Sequence, residues 1–165
     1  MTRREVEVTD KKEIERIFDA CKYLHLGLVN DGKPYVVTLN YGYEFGMEDG
    51  RLVLYLHSSK NSRLLELITK NPNCSFTMEC NVIPVEGRVA CQYGMAYESI
   101  SGSGRISLVE DAEEKMYGLR SIMKAQTGRD DFEFDEKLAS IVSVMRIDEV
   151  EFRAKKRPLP ETLRE

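Results

Sequence analysis

Seven consecutive residues, His57-Ser58-Ser59-Lys60-Asn61-Ser62-Arg63, hold much of the chemistry that can be read directly from this chain. The serine hydroxyls can donate hydrogen bonds, and Lys60 and Arg63 carry full positive charge. Leu64, Leu65, Leu67 and Ile68 follow at helical spacing, and Asn71-Pro72 stops the run. A helix beginning near Lys60 would turn its free N–H groups and the positive end of its dipole toward the same place. These groups together make a cradle for one phosphate, built without a glycine-rich loop. A capped helix start with solvated basic residues accounts for the same pattern.

Other residues carry weaker signals. His57 closes a strand, where it can meet a cofactor edge or sit half-buried against backbone. His25 lies between Leu24 and Leu26 and so points to the opposite strand face from both. It reads as a solvent or interface histidine. Tyr35, Tyr41, Tyr43, Tyr55, Tyr93 and Tyr97 fall in strand-like segments and could wall a planar ligand. The strand preference of tyrosine accounts for most of them. Ser, His and Asp form no defensible hydrolytic triad, and there is no P-loop and no GxGxxG. Gly102-Ser103-Gly104 is too short for a phosphate loop. Cys21, Cys74, Cys80 and Cys91 contain no CxxC pair, and only two histidines accompany them, so no metal site is expected. All four read as buried free thiols in a reducing cytosol.

Composition limits the partners. With 24 Lys and Arg against 28 Asp and Glu, the net charge is −4, which argues against a nucleic-acid-wrapping face. The N-terminus turns polar at once, without the apolar stretch of a signal peptide, and no apolar run is long enough for a membrane span. A cytoplasmic location follows as the expectation. The 165 residues suit one domain over 1–165, with an irregular basic tail from about Lys155.

These residues need elements to hold them. Asp10-Lys11-Lys12-Glu13 has capping-box spacing, and Ile14, Ile17, Phe18 and Cys21 continue a helix over about 10–22. Leu24, Leu26 and Leu28 alternate in a strand over 23–29. Asn30-Asp31-Gly32-Lys33 turns the chain into a second strand over about 35–43, and Glu48-Asp49-Gly50 turns it into a third over 52–57. Short turns imply an antiparallel meander. After the helix that begins near Lys60 and stops at Asn71-Pro72, strands are expected over 74–80 and about 93–109, with Gly102 and Gly104 marking a bulge or coil. Asp111-Ala112-Glu113-Glu114 opens another helix, 127–131 is a polar loop, and a last strand covers 141 to about 152. The sum is a mainly β protein: a closed or nearly closed antiparallel barrel with flanking helices.

In order and spacing these blocks resemble the pyridoxamine 5′-phosphate oxidase-like FMN-binding split barrels, in the branch related to 5-nitroimidazole resistance proteins. The resemblance runs from residue 14 to about 157. Asp31-Gly32-Lys33-Pro34-Tyr35-Val36-Val37-Thr38-Leu39-Asn40-Tyr41-Gly42-Tyr43 resembles the family's turn and first flavin-contacting strand. Leu52-Val53-Leu54-Tyr55-Leu56-His57-Ser58-Ser59 with Arg63 and Leu67-Ile68 resembles its strand-to-phosphate-helix block. Asn71-Pro72-Asn73-Cys74-Ser75-Phe76 resembles the start of its next strand, and Tyr97-Glu98-Ser99-Ile100 a later one. Glu114-Lys115, Leu119 and Met123-Lys124 resemble the helix that follows. Two positions depart from the pattern. Leu64 stands where many relatives carry lysine, so one phosphate-binding charge is missing or comes from Lys60. Glu98 stands where arginine is frequent.

The resemblance implies FMN in a groove between two subunits of a homodimer. It implies cofactor contacts from Thr38, Leu39, Asn40, Tyr41, His57, Ser58, Ser59, Lys60, Arg63, Tyr97 and Ser99. The phosphate would sit at Ser58 to Arg63 and the ring system along Thr38 to Tyr41. Flavin would carry the redox chemistry, so no catalytic acid or base is assigned. The implied activity is an FMN-dependent oxidoreductase acting on a small organic substrate, such as a nitro compound or other electron acceptor. The alternatives are a flavin or haem carrier or sensor without turnover, and a cofactor-free interaction module.

Overall fold

A computed structural model describes residues 6–159 of the chain. Eight strands form one antiparallel sheet in the order β3-β2-β6-β7-β8-β5-β4, with β1 (Val6–Val8) paired to β8 off that path. In chain order, β1 is followed by α1 (Lys11–Ala20), β2 (Leu24–Asn30), β3 (Lys33–Leu39), β4 (Tyr41–Phe45), β5 (Leu52–Ser59) and α2 (Arg63–Lys70). Then come β6 (Asn73–Val85), a 3-10 turn at Ala90–Gln92, β7 (Gly94–Leu108), α3 (Ala112–Thr127), α4 (Glu136–Ser140) and β8 (Val142–Arg157). The two strands at the ends of the path, β3 and β4, are consecutive in the chain and joined only by Asn40. The sheet therefore curls until its ends meet at one backbone link, which makes it a split barrel.

Local chemistry explains the elements. Asp31 and Gly32 both have positive φ, 49° and 80°, as a type I′ hairpin turn between β2 and β3 requires. Asp10 and Asp111 cap α1 and α3 by accepting from the N–H groups of Glu13 and Glu114 at 2.9 and 2.8 Å. Inward residues Leu24, Leu26, Leu28, Phe76, Met78, Ile100 and Ile147 build the main core, joined by Ile14, Ile17 and Phe18 of α1 and Leu64, Leu67 and Ile68 of α2. Strand β5 is apolar on both faces because it is covered twice. Leu52, Leu54 and Leu56 enter the barrel, while Val53 and Tyr55 meet Leu119 and Ile122 of α3 in a second cluster. Gly42 lets α3 approach that closely: a Cβ there would lie 2.4 Å from the Ile122 nitrogen.

Several expectations need correction. The strand expected over 35–43 is two strands, because Asn40 lets β3 pair with β2 and β4 with β5. The basic tail from Lys155 is not irregular up to Arg157. Lys155 and Lys156 pair with both β7 and β1, so long side chains on a covered strand mimic a polar tail in sequence. The remainder of that tail, from residue 160, lies outside the described residues. Helix α2 starts at Arg63 rather than near Lys60. Cys91 is exposed, whereas Cys21, Cys74 and Cys80 are buried. The bulge expected near Gly102 and Gly104 is present as a register shift between Ser103 and Arg105. Among the described residues no helix is long and apolar enough to cross a membrane.

Candidate functional site

The β4–β5 ladder ends at Tyr41 and Leu56, but β5 continues to Ser59 on β8 alone. His57, Ser58 and Ser59 therefore keep one open backbone edge, beside the point where Asn40 leaves β4. The Asn40 amide donates to the Lys22 carbonyl at 3.3 Å and to Gln126 at 2.9 Å, which fixes the bend between β3 and β4.

His57 is half-buried, and its Nδ1 is fully shielded with no hydrogen-bond partner. Burial pushes its pKa below the usual histidine value and favours the neutral ring. A shielded ring nitrogen without a partner is uncommon, because leaving a polar atom dry costs about 1–3 kcal/mol. Ser62 is the N-cap of α2, yet its side chain makes no capping bond. It meets the Ser58 hydroxyl at 2.9 Å instead. The start of α2 thus lacks a side-chain cap next to two hydroxyls. Ser59 and Lys60 are exposed beside it. The Lys115 ammonium of α3 donates to the Val142 carbonyl at 2.7 Å. Its pKa is lowered by burial and by the nearby charge of Lys60, so two cations share this corner.

Arg63 is exposed, and its guanidinium donates to the Asn30 side-chain oxygen at 2.7 Å once that amide is oriented oxygen-first. Arg63 is thereby held at the β2–β3 turn. Thr38 lies five residues along β3 from Lys33, the partner of Asn30. At ~3.3 Å per residue that spans roughly 16 Å. Thr38 is exposed and Leu39 half-buried. Tyr41 points the other way. Its ring is buried, and its hydroxyl donates to the carbonyls of Phe18 and Cys21 at 2.7 and 3.2 Å. Only its backbone can contribute to the outer surface.

Tyr97 and Ser99 are not brought to this corner. They lie on β7, three strands from β3 in the sheet order, or about 14 Å at ~4.8 Å per strand. The six tyrosines form no common wall: Tyr41 and Tyr55 are buried, Tyr93 is exposed, and the other three are half-buried on different strands. One cluster has no signature in the local sequence. His25 Nδ1 lies 3.0 Å from the Thr38 hydroxyl, and His25 Nε2 lies 3.3 Å from Glu79. The alternation of β2 places His25 outward, but only the register with β3 and β6 shows what it meets.

With this geometry in hand, the chain belongs to the pyridoxamine 5′-phosphate oxidase family, whose profile it matches over residues 10–156. It is similar to a Bacteroides thetaiotaomicron protein described as a candidate 5-nitroimidazole antibiotic resistance protein. That structure is 29% identical with a TM-score of 0.75, over 92% of this chain and 87% of the other. A flavocytochrome from Azotobacter vinelandii shares the fold at 22% identity and TM-score 0.75, over 93% of this chain and 70% of that one. An FAD- and haem-binding protein from Mycobacterium smegmatis does so at 15% identity and TM-score 0.76, over 94% and 75%. None of the curated proteins matches the chain.

Proposed function

We propose that this protein is an FMN-binding flavoprotein that works as a homodimer and transfers electrons to or from a small organic substrate. The observation that carries the reading is the partnerless, shielded Nδ1 of His57. His57 directly precedes Ser58 and Ser59 on β5, which leads into a helix start without a side-chain cap, and Lys60 and Lys115 lie near one another at that corner. A cluster so rich in donors and charge calls for an anionic, hydrogen-bonding ligand, and a phosphorylated flavin fits it. In this reading Ser58, Ser59, Lys60 and Arg63 hold the phosphate, with Lys115 reinforcing the charge. Thr38, Leu39 and the backbone of Asn40 and Tyr41 support the ring system along the open edge of β3. Bound flavin supplies hydride and single-electron transfer. The residues of the chain bind, orient and keep water from the buried side, and His57 enters as a neutral ring.

The subunit arrangement has separate support. The outer face of β2, β6 and β7 carries Gly27, Ser75, Thr77, Ser101 and Ser103, small residues that allow close approach of a second sheet. Tyr97 and Ser99 are too far from Thr38 within one chain, so their part in the site would be played across the two-fold axis. Similarity to a candidate 5-nitroimidazole antibiotic resistance protein supports a nitro compound as the favoured substrate class, and similarity to a flavocytochrome and to an FAD- and haem-binding protein supports a flavin or haem carrier as the second reading.

An absorption spectrum of the purified protein with added FMN, combined with light scattering, tests the proposal. A yellow dimer with one flavin per chain is expected. A colourless protein that ignores FMN removes the cofactor, and a monomer that holds it tightly removes the interface site. Turnover of NADH or NADPH with a nitro acceptor then separates enzyme from carrier.

A further inference from the structure

We propose that His25, held by Glu79, sets whether the Thr38 hydroxyl donates or accepts a hydrogen bond toward the bound flavin. The inference rests on the flavin reading of the Thr38 strand and assigns a positioning role to residues one step behind it.

The register builds the relay. His25 of β2 is paired with Thr38 on one side and Thr77 of β6 on the other, so all three side chains share the outer face. Glu79 follows two residues later on β6 and meets His25 Nε2, while Nδ1 meets the Thr38 hydroxyl. The His25 and Glu79 side chains each keep 33% of their exposure, so the relay is partly open to solvent. The ring of Tyr23 stands edge-on to His25 at 5.5 Å between centroids and limits its rotation.

The hydrogen-bond inventory then fixes the logic. An ionised Glu79 only accepts, so the Nε2 facing it carries a proton in either charge state of the ring. In neutral His25 the other nitrogen is bare. It takes the single hydroxyl proton of Thr38, leaving that oxygen's lone pairs for the ligand. In charged His25 both nitrogens donate. Nδ1–H then points at the Thr38 oxygen and releases the hydroxyl proton to point outward. Thr38 thus changes from acceptor to donor without moving. The edge of an isoalloxazine carries a ring N–H as well as carbonyl and imine acceptors, so this change in polarity selects among its atoms.

The surroundings add little competing charge. Thr38 faces the ring from β3 and Glu79 from β6. Beyond them the same rows run through Ser101 to Arg153 and through Ser99 to Lys155 of β8, two strands further out. Among the described residues no acid lies in the His25 row itself.

Riboflavin is the probe, because the FMN phosphate itself ionises near pH 6. Its affinity is measured by fluorescence quenching between pH 5 and 8 for the wild type, His25→Gln and Thr38→Val. The wild type is expected to change affinity by about threefold to tenfold across the range, the effect of one hydrogen bond. Both variants should lose that dependence, and Thr38→Val should bind more weakly throughout. Wild-type binding by Thr38→Val at every pH would mean the flavin does not lie on this strand, and the underlying reading fails. Weaker binding by Thr38→Val, with the same pH dependence in wild type and His25→Gln, overturns the relay alone. Nitrogen NMR of the apo protein gives a second readout. Neutral His25 is expected with its proton on Nε2, with Glu79→Gln mixing the two ring forms; a wild-type proton on Nδ1 overturns the proposal.

Discussion

Replacing Tyr41 by phenylalanine tests whether this residue serves the core or the ligand. Its hydroxyl donates at 2.7 Å to the Phe18 carbonyl, one of the terminal acceptors that α1 cannot satisfy within itself, and at 3.2 Å to the Cys21 carbonyl. The ring is fully buried, so no water replaces the lost donor. Burial also pushes the phenol pKa far above its usual value, so the hydroxyl stays protonated as a donor at all ordinary pH. Losing the bond and stranding a buried carbonyl costs about 1–3 kcal/mol. For a chain of this size each kcal/mol moves Tm by about 2–4 °C, so a drop of roughly 2–12 °C is expected. FMN affinity, by contrast, should stay within about twofold, because only the Tyr41 backbone can reach the outer surface. Differential scanning calorimetry and fluorescence titration read the two effects on one preparation. An unchanged Tm with a tenfold loss of FMN affinity would refute the reasoning, since the side chain would then be a ligand contact.

Reversing the charge in Arg63→Glu should weaken FMN by roughly tenfold to a hundredfold and riboflavin far less, and equal losses would point to folding instead. Ser58→Ala should disturb the Ser58–Ser62 pair and lower apo stability by about 0.5–1.5 kcal/mol in urea unfolding, whereas Ser59→Ala should chiefly lower FMN affinity. Gly42→Ala forces a Cβ onto the α3 backbone and should cost about 1–3 kcal/mol or more by the same assay. His57 has a folded-state pKa below the ordinary histidine value, so the unfolded chain takes up its proton first as pH falls. Its contribution is complete above the ordinary histidine range and is lost as pH drops toward the folded value; His57→Gln should flatten that part of a stability-versus-pH curve.

The sequence made the barrel legible because its hairpins are local. Asp31-Gly32 and the Leu24, Leu26, Leu28 alternation are read from neighbours alone. The break at Asn40 is hard to read, since strand formers run up to Leu39 and resume at Tyr41, and only pairing with two different partners divides the segment. The end of the last strand is hidden for a related reason. Lys155, Lys156 and Arg157 read as a solvated tail until β1 and β7 are seen on either side of them. At the site, the serines and cations after His57 stood out by type, while the role of Tyr41 did not. A strand tyrosine can face either way, and its partners Phe18 on α1 and Cys21 just after it lie 23 and 20 residues away. His25 and Glu79 are 54 residues apart, and no local pattern joins them.

The position of β8 bears on how the chain reaches this state. It is the last strand of the described residues, yet it supplies the missing neighbour for β5, β7 and β1 alike. During synthesis β5 leaves the ribosome about 80 residues before β8 begins, which is on the order of 4–16 s at ~5–20 residues per second. Throughout that interval Leu52–Leu56, apolar on both faces, has no edge to pair with beyond β4. Nascent chains should therefore be most vulnerable to aggregation at this segment, and closure of the barrel should be a late event governed by long-range pairing.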